Sequence, residues 1–291
     1  MPEEDQTARG TVRTRPRRRL AAAALSALVA LASAVVLALP GAAAGQEEQP
    51  APPKPSGNPF EGTGVWIWQV PKSSGGSPAA IADRAKRNGV RFVVVKAAHG
   101  AGYWGQFSPQ LVKALKSRGL RVCGYQRMLG NDPRGEARQA IRAVRAGADC
   151  FVIDAEAEYK NKHAKARTYV KALRQGIGPN FPVGFTSFPY VSFHRTVPYR
   201  VFLGPGGAQY NLPQVYWKAI GDPPGAALAR TYRENRGFGR PIYPIGQAYD
   251  RPPVGQIRSF KATARRYGAR GVSWWSWQSA GEAQFRALGG G

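Results

Sequence analysis

Cys150-Phe151-Val152-Ile153-Asp154-Ala155-Glu156-Ala157-Glu158-Tyr159 is the stretch from which the rest of the chain is read. Phe151, Val152 and Ile153 form a short apolar run with the character of a buried parallel strand. Acids then follow at alternate positions: Asp154, Glu156 and Glu158. Side chains two apart on an extended backbone share a face, so Asp154 and Glu156 are expected side by side, their Cα atoms about 6–7 Å apart. Two carboxyls in one crevice push their pKa values apart, which leaves one of them able to hold a proton near neutral pH. An isolated Asp-x-Glu could simply close a strand and accept helix N-terminal amides. The surrounding pattern argues for more.

Outward from this strand, one unit repeats: a short apolar strand, a loop, a basic amphipathic helix, and a Gly shortly before the next strand. Strands are expected at 65–69, 92–97, 122–126, 151–155, 183–187, 214–217, 242–246 and 272–277, with starts recurring every 27 to 32 residues. Helical patterns cover 79–88, 109–118, 135–145, 165–175 and 257–267, and Asn88-Gly89, Arg118-Gly119 and Ala146-Gly147 read as helix stops. Eight alternations predict an α/β fold, a single (β/α)8 TIM-type barrel over residues 60–291. An open doubly wound sheet would carry a Gly-rich turn after its first strand, where this chain has Trp66-Ile67-Trp68-Gln69.

Residues 1–59 read differently. A basic run, Arg13 to Arg19, precedes an uncharged apolar run over 20–39, then Pro40-Gly41 and Ala42-Ala43-Ala44. Residues 1–44 therefore read as an export signal, with cleavage after Ala44. The apolar run also reaches the about 20 residues that span a bilayer, so an uncleaved membrane anchor is the alternative. Residues 45–59 are Pro-rich and polar, a disordered linker. Either route predicts an extracellular or cell-wall-associated domain, reaching the membrane only through that N-terminal segment.

The net charge is +25, and +22 without residues 1–44. The basic residues are spread over all the predicted helices and no nucleic-acid motif is present, so no specific nucleic acid is expected. Outside a cell this charge favours anionic wall polymers. The only cysteines, Cys123 and Cys150, fall on consecutive predicted strands; a disulfide and two buried thiols are both compatible. With three His at unrelated spacings, no phosphate-cradling loop and no dinucleotide fingerprint, neither metal nor cofactor is expected. A monomer is expected.

Chemistry on such a barrel gathers where the strands end. Those ends supply Trp68 and Gln69, Lys96 and His99, Tyr125 and Gln126, and Asp154, Glu156 and Glu158. The later strands supply Tyr216 and Trp217, then Gln247, Tyr249 and Asp250, and last Trp275 and Trp277. Aromatics and amides dominate this set. Flat apolar rings with polar tips suit sugars, whose faces stack and whose hydroxyls need hydrogen-bond partners.

The order of motifs resembles glycoside hydrolase family 25, the muramidase or lysozyme-type barrels that cut peptidoglycan. The resemblance is carried by Phe92-Val93-Val94-Val95-Lys96-Ala97-Ala98-His99-Gly100, by Gly119 to Tyr125, and by Phe151-Val152-Ile153-Asp154-Ala155-Glu156, with looser echoes at Val215 to Ala219 and Val272 to Gln278. It implies Glu156 as general acid and Asp154 as its assistant, steadying a substrate N-acetyl group that attacks C1. The chain departs from the family where Trp66-Ile67-Trp68 replaces a first-strand Asp, His99 a Glu, and Gln126 a His. The expected function is therefore an exported glycosidase acting on an N-acetylamino-sugar polymer, peptidoglycan first. The alternative is a non-catalytic polysaccharide-binding barrel.

Overall fold

The computed structural model describes residues 57–289; the expected export segment and nearly all of the linker lie outside the described residues. Eight parallel strands form the barrel: β1 (Gly62–Ile67), β2 (Val90–His99), β3 (Arg121–Arg127), β4 (Cys150–Asp154), β5 (Val183–Thr186), β6 in two pieces (Tyr210–Asn211 and Gln214–Val215), β7 (Ile245–Gln247) and β8 (Gly271–Trp275). Each pairs with its sequence neighbours, and β1 pairs with β8. Ring closure runs through β6. Its first piece pairs with β5, its second with β7, and Asn211 bridges Ile242. Pro213 separates the two pieces, because it has no N–H to donate to the ladder. Its carbonyl still accepts from Ile245 N at 2.9 Å.

The crossover helices include α1 (Pro78–Arg87), α2 (Pro109–Lys116), α3 (Pro133–Arg145) and α4 (His163–Ile177), followed by the short α5 (Tyr199–Phe202) and α6 (Trp217–Ile220). α7 (Pro224–Asn235), α8 (Val254–Arg266) and α9 (Glu282–Gly289) complete the set. The first three start on one device. Ser77, Ser108 and Asp132 each precede a Pro at the first helical position and accept the backbone N–H three residues on. Among the described residues no helix is long and apolar enough to cross a membrane.

Alternation along the strands divides the core in two. One set, with Val65, Val93, Val95, Phe151 and Ile153, packs under the helices. The other lies inside the cylinder: Phe60, Trp66, Phe92, Val94, Tyr125, Val152, Leu212, Tyr243 and Ile245. Phe60 fills the floor, its ring 5.1 Å from Tyr210 and 6.0 Å from Phe92. Two glycines make room for this filling. A Cβ at Gly64 would lie 2.1 Å from the Phe92 ring, and one at Gly184 would lie 2.8 Å from Leu212 Cδ1. The barrel is thus a packed core and not a pore.

Cys123 and Cys150 are joined in a disulfide inside the cylinder, between residues that face each other in the β3–β4 register. Of the two possibilities the sequence allows, the structure has the bond. Strand boundaries also differ from expectation at β6, where Trp217 leaves the sheet to begin α6, and at β8, which ends at Trp275. The disulfide closes a loop of 27 residues. In the chain-entropy picture such a loop contributes about 3–4 kcal/mol. The double variant Cys123→Ala/Cys150→Ala should therefore unfold in urea with a stability lower by about that amount. The same midpoint for variant and oxidised wild type would show that the bond contributes nothing.

Candidate active site

The ends of β3, β4 and β6 bring five polar side chains together. Asp154 closes β4, and Glu156 follows just past the strand, with its backbone outside the extended region; the two acids nonetheless converge, both meeting Gln214 and Arg127. Gln214, at the start of the second piece of β6, donates through Nε2 to Asp154 Oδ1 at 3.2 Å and to Glu156 Oε1 at 2.9 Å. Arg127, the last residue of β3, faces Asp154 in register and reaches three carboxyls. Its Nη1 lies 3.6 Å from Asp154 Oδ1 and in close contact with Glu156 Oε1. Its Nη2 donates to both oxygens of Glu158 at 2.9 Å.

The charges explain one another. Burial, first, and then the negative charge of Glu156 and a hydrogen bond with it hold the Asp154 carboxyl well above the usual range, while Arg127 and Lys96 pull the other way. The raised value favours the protonated form at Asp154, the more deeply buried member of the pair. Burial also opposes the charge of Arg127, but Asp154, Glu156 and Glu158 together outweigh it and raise its pKa.

Around this cluster the mouth is aromatic. Lys96 Nζ sits 4.3 Å from the centroid of Trp104 and 5.7 Å from that of Trp68, and 3.5 Å from His99 Nδ1. Trp275 and Tyr125 meet edge to face at 6.0 Å, and both pack on Trp66. Tyr216 meets Tyr249 at 5.5 Å, and burial followed by the charges of Glu156 and Asp154 raises the Tyr216 phenol. Trp68, Trp104, His99, Tyr216, Tyr249 and Trp275 are all partly exposed.

Several residues expected at the mouth stand elsewhere. Gln126 points outward, since its neighbours Tyr125 and Arg127 point in; it is buried, donating to the carbonyls of Gly100 and Glu136 and accepting from Tyr169. Trp217 is buried beneath α8, its Nε1 donating to Gln256 Oε1 at 2.8 Å and its ring 5.1 Å from Phe260. Trp277 is buried against Phe285, 4.7 Å away. These three pack the wall between sheet and helices and cannot meet a ligand in the barrel mouth. Gln247 is buried too, but it organises the mouth: its Oε1 accepts from Lys218 N and Ala219 N, and its Nε2 donates to the Tyr249 carbonyl. Asp250 is exposed and paired with Lys218 at 2.8 Å. Gln69 is partly exposed, its carbonyl accepting from Ser73 Oγ.

Sequence reading missed Arg127, Gln214 and Trp104. Strand alternation offered the signal for Arg127, which stands two residues after the inward Tyr125. Trp104 gave none, since it lies beyond a two-residue strand, Gly102–Tyr103, that folds back on β2.

No protein-family model and no curated protein matches this sequence. Solved structures do match its fold. A chitinase from Chromobacterium violaceum superposes with a TM-score of 0.57 at 12% identity, over 78% of this chain and 98% of that one. The Bacillus cereus spore cortex-lytic enzyme SleL gives 0.56 at 10% identity, over 78% and 73%. An endo-β-1,4-mannanase from Thermotoga petrophila gives 0.57 at 12% identity, over 76% and 68%. The chain is accordingly a TIM barrel of the kind these glycoside hydrolases share. At such identities the likeness is one of fold.

Asp154 has a folded-state pKa raised above its unfolded value of about 3.9. Its contribution to stability is therefore present at acid pH and is lost as pH rises through the raised value. Asp154→Asn, which keeps a donor toward Glu156, should flatten that loss. Thermal melting from pH 4 to pH 9 should show the wild type falling further than the variant on the alkaline side. Parallel curves would mean that Asp154 is ionised throughout.

Proposed function

We propose that this chain is an exported glycoside hydrolase acting on an N-acetylamino-sugar polymer, with peptidoglycan the foremost candidate. The observation that carries the reading is the carboxyl pair Asp154–Glu156, joined through Gln214 and Arg127 at the mouth of a barrel lined with tryptophan and tyrosine. Glu156 is the more exposed of the two side chains, 20% against 10%, and is the one a glycosidic oxygen would meet.

In the proposed reaction a proton held at Asp154 passes to Glu156 when substrate enters. Glu156 gives that proton to the departing sugar oxygen as the bond to C1 breaks, and the substrate's own acetamido oxygen bonds to C1 in its place. Asp154, now a carboxylate beside Arg127, steadies the positive charge that develops on the acetamido group. Water then attacks C1, Glu156 takes up its proton, and the acetamido oxygen departs. Trp68, Trp104, Tyr216 and Trp275 are placed to stack on sugar faces. The family 25 resemblance of β2 and β4 supports a muramidase-like specificity. An enclosed disulfide fits an oxidising compartment, and the basic surface fits a wall rich in anionic polymers.

A second reading, a glycan-binding barrel without turnover, is favoured by two observations. Arg127 already pairs with Glu156, and β1 offers Trp66, with Trp68 just past its end, where a third acid would serve. Glu156→Gln separates the readings. On purified peptidoglycan and on N-acetylglucosamine oligomers, release of reducing ends should fall by about 10²–10⁴, the usual worth of a general acid. Sedimentation with the wall should be retained. Equal release by wild type and variant would end the hydrolase reading, and retained sedimentation with no turnover by either would establish the binding one.

A further inference from the structure

A second concave site lies away from the barrel mouth, on the flank formed by α4 and α5. It is a cavity of about 650 Å3, a volume typical of small-molecule sites. Its rim is cationic. Arg167 and Lys171 stand one turn apart on α4, and Arg200 projects from α5 beside them. Like charges four apart on a helix face repel each other. Among the described residues no carboxylate pairs with any of these three cations.

The walls, by contrast, are carbon: Val170 on α4, Val201 on α5 and Pro205 beyond it. Beneath them the backbone is fixed by Arg174, whose guanidinium donates to the carbonyls of Gly178, Phe181, Gly206 and Gly207 and to Gln209. Burial, the leading cause, lowers the pKa of Arg174 to about 10. Arg174 is thus committed to the scaffold, and Arg167, Lys171 and Arg200 are the cations left to face a ligand.

From this combination we infer that the α4–α5 flank binds a phosphate-headed amphiphile, an acidic lipid. Its phosphate meets Arg167, Lys171 and Arg200, and its first carbons lie on Val170, Val201 and Pro205. The carbon walls decide against a bare polyanion, which would need only the charges. This site is independent of the Asp154–Glu156 pair, and its ligand is bound rather than transformed.

Isothermal titration of the full chain with monomeric dihexanoyl phosphatidylglycerol tests the site. Inorganic phosphate and dihexanoyl phosphatidylcholine serve as comparison ligands. The apolar run over 20–39 is present in every variant and cancels between them. Phosphatidylglycerol should bind at least tenfold more tightly than either comparison ligand. Arg167→Ser/Lys171→Ser/Arg200→Ser should weaken it at least tenfold, as should Val201→Asp, with melting curves near wild type. The control Arg87→Ser/Arg118→Ser/Arg258→Ser, which removes the same charge from exposed positions elsewhere, should leave it unchanged. Equal affinity for phosphate, equal loss in the control, or no binding by wild type would each overturn the assignment.

Discussion

One guanidinium organises the end of the barrel where three acids converge. Without Arg127, Asp154, Glu156 and Glu158 would stand together at the edge of a low-dielectric core, and mutual repulsion would drive them apart or force further protonation. With it, a guanidinium faces all three. Gln214 completes the arrangement from the far side, fixing the two inner acids relative to each other. The same contact limits the chemistry, since a cation beside a carboxyl favours the form that cannot give up a proton. The glycosidase reading therefore requires substrate to redistribute charge within the cluster, a demand a binding protein would not face.

The architecture was largely legible in the chain. Regular spacing of apolar runs, glycine stops and Ser-Pro or Asp-Pro starts led to an eight-stranded barrel, because each of these signals acts locally on the backbone. At the end of β4 the convergence of Asp154 and Glu156 was legible, although the backbone leaves the extended region at Glu156 and the shared partners Gln214 and Arg127 hold the two together. What sequence could not supply was the sense of each residue at the strand ends. Gln126, Trp217 and Trp277 share composition with true mouth residues but turn toward the helices. For Gln126 a shift of one position decides between interior and exterior. For Trp217 and Trp277 the strand had already ended, so alternation no longer applied.

Burial sorts the aromatic residues by role. Trp66, Trp217, Trp274 and Trp277 are enclosed and build the walls, whereas Trp68, Trp104 and Trp275 keep an accessible face near the acids. A tryptophan count alone would have merged the two groups. Lys96 belongs to both. Its ammonium lies among the mouth aromatics while its residue is almost wholly enclosed, so it contributes a fixed positive potential to Asp154 without presenting itself to solvent.

The bridge between Cys123 and Cys150 has a geometrical corollary. Arg127 lies four residues past one sulfur-bearing position and Asp154 four past the other, on two strands running the same way, with both pairs facing in the same register. An even offset keeps all four side chains on the inner surface. The covalent link thus serves as an index mark: sliding one strand past the other would carry guanidinium and acid out of alignment, and the bond forbids the slide.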